Sequence, residues 1–438
     1  MTIRKLFEPN SIAVAGASND PGNLGHKIIR NLKESDFEGK IYPVNSKEEE
    51  ILDLKCYPSV EEAPKKTQLL VIATEPEKVS ETLEGCSENN VSNAVVISSG
   101  FSETEEEGKK LEKEVVKTGE EMGIRILGPN SQGIVNTENG MCSTWPLINK
   151  KGSIGIISES NSIGAELIKR AQKDNIGISK MATFGNKADI DEVDLIEYFG
   201  KDDETDIIAL YLERIKKGRE FLSVVEEVSK EKPILVLKGG KTERAMEEIK
   251  RIEEEGMGDY RIFESACRQA GLTQVENLDT LYNICKGIAT MPKPEGKNTV
   301  IVTNTKGGSV LALDAAENTS INMIDIPENC KERLRETLPD DIPIKNPLNL
   351  HRRADAEKFD KAIKILARYK DVQNLVTIVG TPTAETAEVI ERRFERLPII
   401  PIVLGKGEFD MEKSDSLKQR GIPVFSEPQM AMKVLNSL

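Results

Sequence analysis

Three times along the chain a short, mostly apolar run ends in a turn of Gly, Ser, Asn or Thr and passes into a helical pattern. These openings are "SIAVAGASNDPG" from residue 11, "GSIGIISESNSIG" from 152 and "NTVIVTNTKGGSV" from 298. Strands that are apolar on both faces, rather than alternating, suit a parallel sheet covered by helices on each side. In such an open sheet the first strand is central. Its C-terminal turn meets a helix N-terminus, where unpaired amides and the helix dipole favour an anion. The repetition therefore predicts an α/β chain of doubly wound units with up to three anion sites.

Between the openings, strands and helices alternate as parallel crossovers require. The first third predicts strands at "IAVA", "KIYPV", "LLVIA", "AVVIS" and "IRIL", with helices over 24–35, 76–86 and 103–122. The second predicts "SIGII", "KMATF", "IIALYL" and "PILVL", with helices near 162–174, 191–200, 218–230 and 242–255. The last predicts "TVIVT", "LVTIV" and "IIPIVL" separated by helices. Boundaries are expected near 129–152 and at "MPKPEGKN", 291–298, where Pro, Gly and Lys break the pattern as exposed linkers do. The expected domains are 1–130, 150–290 and 298–438.

Charge narrows the partners. With 74 acidic against 60 basic residues the net charge is −14, which opposes non-specific attachment to nucleic acid or anionic lipid and leaves room only for a local basic pocket. The six cysteines, at 56, 86, 142, 267, 285 and 330, never form C-x-x-C. They are expected to be buried, reduced thiols rather than a disulfide frame or a zinc site. No run reaches the roughly 18 apolar residues of a membrane span, and the N-terminal apolar segment is too short for a signal peptide. A cytoplasmic protein is expected.

The first loop, "VAGASNDPGNLGH" at 14–26, spaces Gly16, Gly22 and Gly25 as G-x5-G-x2-G, not as the tighter dinucleotide fingerprint G-x-G-x-x-G. An NAD-binding unit places an Asp or Glu at the end of its second strand to hold the ribose diol. Here that strand ends "YPVNSK", offering Asn45 and Lys47. An amide beside an ammonium suits a phosphorylated ribose, so NADP or coenzyme A ranks above NAD.

At this point the chain resembles, over nearly its whole length, the α subunit of the nucleoside-diphosphate-forming acyl-CoA synthetases, the ADP-forming acetate–CoA ligases related to succinyl-CoA synthetase. The matching segments run in order: "SIAVAGASNDPGNLG", "GKIYPVNSKEEEILDLKCYPSVEEAP", "VVISSGFSETEEEG", "GIRILGPNSQGIVNT", "GNKADIDEVDLIEYF", "LYLERIKKGREFL", "PILVLKGGKT", "TNTKGGSVLALDAAE" and "NPLNL". The resemblance implies an N-terminal Rossmann-type CoA-binding domain followed by two flavodoxin-like domains. It implies the reaction acyl-CoA + ADP + phosphate = acid + CoA + ATP, with Mg-ADP or Mg-ATP carried by a separate ATP-grasp β subunit in an oligomeric assembly. Coenzyme A would be met by Gly16, Ser18, Asn19 and Gly22 around its pyrophosphate, by Asn45 and Lys47 near the adenosine end, and by Gly100 and Asn130 at strand tips. Phosphate would lie at two helix N-termini, matching Ser158 and Ser160 in "SESNS" and Asn304, Lys306, Gly307 and Gly308 in "TNTKGGS". Glu213 in "YLER" matches the glutamate that holds the family's phosphoryl-carrying histidine.

That histidine is missing. The family's Ser-His-Thr-Gly loop follows the strand matching "PILVLKGGKT", yet this chain has no histidine between Thr242 and Cys267. Glu and Lys or Arg instead recur three and four apart through 243–255, the mark of a solvated helix. A phosphoryl carrier must be a nucleophile that also releases its cargo near neutral pH, and Glu, Lys and Arg are no simple replacement. Two further departures add charge. The family's Ser-Gln-Ser-Gly is "SESN", expected to set Glu159 against an anion site and Asn161 in place of a close-approach glycine. The family's Ala-Val-Pro is "ATE", placing Glu75 near phosphates. Lys306 works in the opposite direction.

Only His26 and His351 occur in the sequence. His26 reads as a partly exposed helix residue, with a contact to the pyrophosphate as the other option. His351 follows "NPLNL" and is the candidate substitute carrier or general base. Asp189, Asp191 and Asp194 lack the glycine and distal glutamate of a calcium loop, so no metal site is expected, and Asp191 reads as a helix cap. Trp145 reads as a packing residue. Three functions follow: a CoA-binding α-type subunit whose usual phosphoryl relay is lost or altered, a non-catalytic CoA or acyl-CoA sensor or scaffold, or a phosphate-handling enzyme of unrelated type on the same domains, since fold does not fix function.

Overall fold

The computed structural model describes residues 3–87, 89–250, 260–352, 354–380, 388–390, 392, 398–404 and 415–438. The chain divides into two compact units, residues 1–170 with 177–281, and residues 171–176 with 282–438.

The first unit holds two large sheets. One is wholly parallel, in the order Lys40–Val44, Ser11–Ala15, Leu69–Ile72, Asn93–Val96, Arg125–Leu127. Its three central strands are buried at every residue, which is why they read as unbroken apolar runs. Chain order reverses beside Ser11–Ala15, so the crevice outside the C-terminal ends of Ser11–Ala15 and Leu69–Ile72 is the switch point where ligands bind in such sheets.

The other sheet has the order Thr273–Gln274, Ile234–Lys238, Ile207–Leu212, Lys151–Ser158, Ile178–Thr183, Gly133–Asn136, Met141–Cys142. Its first five strands are parallel, and the last two join antiparallel. These two correct the expectation of an exposed linker over 129–152. Both are fully buried, and the Ser35 hydroxyl, at the end of helix Leu24–Glu34, donates to Gly140 O. Strands of four and two residues carry too little pattern to stand out from a loop. Trp145 packs half-buried against this core. A short N-terminal helix, Arg4–Phe7, is anchored where Phe7 stacks on Tyr198 at 4.7 Å and meets Phe199 edge-on at 5.4 Å.

In the second unit the sheet order is Asn322–Met323, Asn298–Thr303, Asn374–Val379, Ile399–Val403, with Leu348–Asn349 also paired to Asn298–Thr303, all parallel. The charged helix expected over 242–255 is present as Glu243–Lys250, while 251–255 and Arg353 lie outside the described residues. All six cysteines are buried and free. Among the described residues no helix is long and apolar enough to cross a membrane.

Candidate functional site

Two glycines shape the first loop. Gly16 has φ +85°, and a Cβ there would lie 2.4 Å from Ala73 O; a Cβ on Gly25 would lie 2.3 Å from Gly16 O. Without side chains at these positions, the loop folds flat between the neighbouring strand and the start of helix Leu24–Glu34, leaving residues 19–22 exposed at the strand tip. Gly22 meets only the Asp20 carboxylate, at 3.3 Å. The close-packing role therefore belongs to Gly25, which the sequence reading left without one. Asn23 caps the helix, its side chain accepting from the Gly25 and His26 amides.

His26 is 7% exposed, and its Nδ1 lies 2.9 Å from Ser18 O. This corrects the partly exposed reading: the ring braces the loop from behind. Asn45 acts similarly, donating from Nδ2 to Ala17 O at 2.6 Å and accepting from the Lys47 amide at 2.8 Å. Asn19 donates to Glu48 at 2.7 Å and to Glu50 O at 3.0 Å. Lys47 is exposed. Glu75 sits on the rim, paired with Lys78 at 3.0 Å; the Lys78 hydrogen bond holds its carboxyl below the ordinary range, and Lys47 adds to this.

A second feature is a cleft of 350 Å³ at the switch point of the second sheet, where Lys151–Ser158 passes into helix Asn161–Lys173. It gathers Asn130, Ser160 and Glu213 from the expected site residues and adds Glu103, Glu159, Asn161, Ser162, Asn186 and Arg214. Ile249 of the charged helix also lines it. Ser158 is fully buried, its hydroxyl donating to Ser160 O at 2.7 Å. Asn161 donates to Asn130 O at 2.8 Å and accepts from the Gln132 amide at 3.0 Å.

Glu159 does not add a bare charge to the cleft, as the sequence had led us to expect. Its Oε2 accepts from the Glu213 and Arg214 amides at 2.7 and 3.0 Å, and its Oε1 accepts from Arg214 Nε at 2.8 Å. Lys187 Nζ stands 3.6 Å away and also pairs with Glu192 at 2.8 Å. Burial alone would push the Glu159 carboxyl up, but the Lys187 and Arg214 charges and the two amides outweigh it and hold it below the ordinary range. Glu213 behaves oppositely. Burial raises its carboxyl and the Glu159 charge adds to the effect, against the Tyr211 hydroxyl that donates to it at 2.9 Å.

Glu103 reaches the cleft after accepting from the Gly100 and Phe101 amides at 2.6 and 3.1 Å, and Asn186 Nδ2 donates to both Glu103 and Glu112, at 2.6 and 2.8 Å. Gly100 thus serves the Glu103 turn, with φ +105°. The acids of "KADIDEVD" are also accounted for. Asp189 and Asp194 pair with Arg125 at 2.9 and 3.0 Å, and Asp191 caps helix Glu192–Gly200 in a reciprocal capping box.

In the second unit, Thr305 precedes helix Lys306–Ala316 without a side-chain cap bond. Lys306 and Gly307 are exposed, and nothing lies within 4 Å of a Cβ on Gly307, whereas Gly308 packs against Ile378 and Leu404. The Asn304 side chain accepts from the Gly380 amide at 2.8 Å. His351 is exposed, at φ +63°, its Nε2 3.2 Å from Asp341 O. Leu350, just before it, donates to Thr303 O at 2.8 Å, so the imidazole lies at the same sheet end as Lys306. Glu213 and His351 belong to different units.

Doubly wound parallel sheets with Gly-, Ser- and Asn-bearing turns at their switch points are the architecture of nucleotide-binding α/β proteins. Family profiles assign more: a CoA binding domain matches residues 10–137, and a succinyl-CoA ligase like flavodoxin domain matches 151–288. The α subunit of ADP-forming acetate–CoA ligase II from Pyrococcus furiosus is 36% identical over 434 residues, spanning 97% of this chain and 94% of its own. The α subunit of ligase I from the same organism is 36% identical over 452 residues, spanning 100% and 97%. A dinucleotide-forming acetyl-coenzyme A synthetase 1 from Ca. Korarchaeum cryptofilum, solved in complex with phosphate and ADP, matches with a TM-score of 0.93 at 31% identity, covering 99% of this chain and 96% of that one. The chain belongs to the ADP-forming acetate–CoA ligase α-subunit family.

Proposed function

We propose that this chain is the CoA-binding half of an ADP-forming acyl-CoA synthetase assembly in which the usual histidine relay between acyl phosphate and nucleotide has been lost. The reading divides the chain into a CoA-binding domain over 1–130, a succinyl-CoA-synthetase-like domain over 150–290 and a second flavodoxin-like domain over 298–438. CoA lies along the Gly16–Gly25 loop, with Lys47 toward its phosphorylated ribose, and a separate ATP-grasp β subunit carries Mg-ADP or Mg-ATP. The assignment of relatives as α subunits supports such a partner.

One observation carries the loss of the relay. Of the two imidazoles in the sequence, His26 is committed to Ser18 O behind the first loop, and neither is among the described residues that line the cleft holding Glu213. His351, exposed beside the Asn304–Gly308 turn, is the imidazole left to act as carrier or base at the second anion site. The test pairs the purified chain with its ATP-grasp partner. Calorimetry should detect CoA binding, and incubation with Mg-ATP followed by phosphopeptide mapping should find no label on the 243–266 segment. Label on that segment, or uptake of NADP with no response to CoA, would refute the reading. Label on His351 would identify that residue as the substitute. The Glu159 carboxylate at the cleft floor favours a second reading, a CoA or acyl-CoA sensor without turnover; acyl-CoA formation by the reconstituted pair excludes it.

A further inference from the structure

We propose that Glu159 is a built-in anion plug: its carboxylate fills a cradle that would otherwise take a phosphate, and so keeps a dianion off the floor of the cleft. The donor set is the argument. Two consecutive amides, those of Glu213 and Arg214, converge with the Arg214 guanidinium on one carboxylate at 2.7, 3.0 and 2.8 Å, and the Lys187 ammonium stands at 3.6 Å. Successive backbone amides reinforced by guanidinium and ammonium groups form the kind of concavity that binds phosphate oxygens. The side chains of Lys187, Glu159 and Arg214 are 0%, 3% and 6% exposed, so the cradle is a desolvated, preformed site rather than a surface cluster. Lys187 is itself fixed, donating to Glu192 at 2.8 Å and to Arg214 O at 2.7 Å.

The plug stands at the cleft and not elsewhere, because Glu159, Glu213 and Arg214 all line it. An incoming phosphate meets a carboxylate whose cations are already engaged, and is confined to the rim formed by Ser160 and Ser162. The floor then accepts an uncharged group, such as a thioester acyl chain, in preference to a dianion. This inference goes beyond the CoA reading, and its test uses neither CoA nor the partner, so the two succeed or fail separately.

Glu159→Ala vacates the cradle, while Glu159→Gln removes the charge but keeps the shape. The full-length variants are melted in inorganic phosphate or formate at constant ionic strength. Glu159→Ala should show a saturable rise in Tm and bind phosphate at least about tenfold tighter than the native chain, the scale of one charge-assisted contact. The native chain and Glu159→Gln should show no such rise. The double variant Glu159→Ala/Arg214→Gln, which restores charge balance, should fold and lose the response. A Glu159→Ala protein that ignores both anions, whether folded or not, would overturn the proposal, as would equal responses in the native chain or the double variant.

Discussion

Replacing Gly25 by Ala tests the first loop most directly. A Cβ at this position would lie 2.3 Å from Gly16 O and 2.9 Å from Ala17 Cα, well inside the 3.4 Å at which ordinary contact begins. The obstructing atoms are backbone on both sides, so no side chain can swing aside, and loop and helix must separate by about 1 Å. Two opposing effects act on stability. Alanine in a helix gains about 1 kcal/mol over glycine, while overpacking a tight site costs about 1–3 kcal/mol, leaving a net loss of about 0–2 kcal/mol. Binding has no such compensation. Moving the loop by that distance breaks one or two charge-assisted hydrogen bonds to a pyrophosphate, each contributing about 1.5–3 kcal/mol, so CoA affinity measured by calorimetry should fall at least about tenfold. Gly218→Ala is the control. It lies outside the loop, nothing stands within 4 Å of a Cβ there, and affinity should stay within about twofold, as at an ordinary surface position. Native CoA affinity in Gly25→Ala, or an equal loss in Gly218→Ala, would refute the assignment of close packing to Gly25.

Glu213→Gln should raise Tm at neutral pH and lose that advantage below the unshifted carboxyl value of 4.5. A carboxyl raised in the folded state holds its proton more tightly there than in the unfolded chain, so its ionisation erodes stability as pH rises; a Tm difference independent of pH from 4 to 8 would contradict this. The thiols should be nearly silent toward a disulfide reagent in the native protein and react fully on unfolding. All six are buried, and burial pushes Cys86 and Cys267 up to about 12 and Cys142 and Cys330 to about 11; a rapidly reacting native thiol would disprove it.

What was legible in the sequence follows from how each feature is stabilised. Parallel strands buried on both faces appear as apolar runs, so Ile207–Leu212 and Asn298–Thr303 stand out without a structure. The Asp191 cap is equally local, resting on bonds two and three residues away. Features set by distant partners were hidden. Glu103 meets Asn186 across 83 positions, and Glu159 meets Arg214 across 55, so nothing nearby announces that either charge is engaged. His26 was misread for a related reason. Its partner is a backbone carbonyl eight residues back, and a carbonyl leaves no mark in the sequence.

The two switch-point crevices of the first unit are equipped for different chemistry. The first is built by omission, since Gly16 and Gly25 leave space that backbone fills and the loop meets solvent. The second is built by compensation. Three carboxylates line it, but Glu103 is held by amides and Asn186, and Glu159 by Arg214 and Lys187. Glu213 accepts from the Tyr211 hydroxyl on its Oε1, and burial together with the Glu159 charge raises its carboxyl above the ordinary range. Of Glu159 and Glu213 it is the one that holds a proton more tightly, and a carboxyl that carries its proton donates a hydrogen bond where a carboxylate only accepts. In the reading proposed above, a cleft whose other acids are engaged by amides and cations suits an uncharged acyl group. It takes up a phosphoryl group only with a suitable nucleophile, and no imidazole is among the described residues that line it.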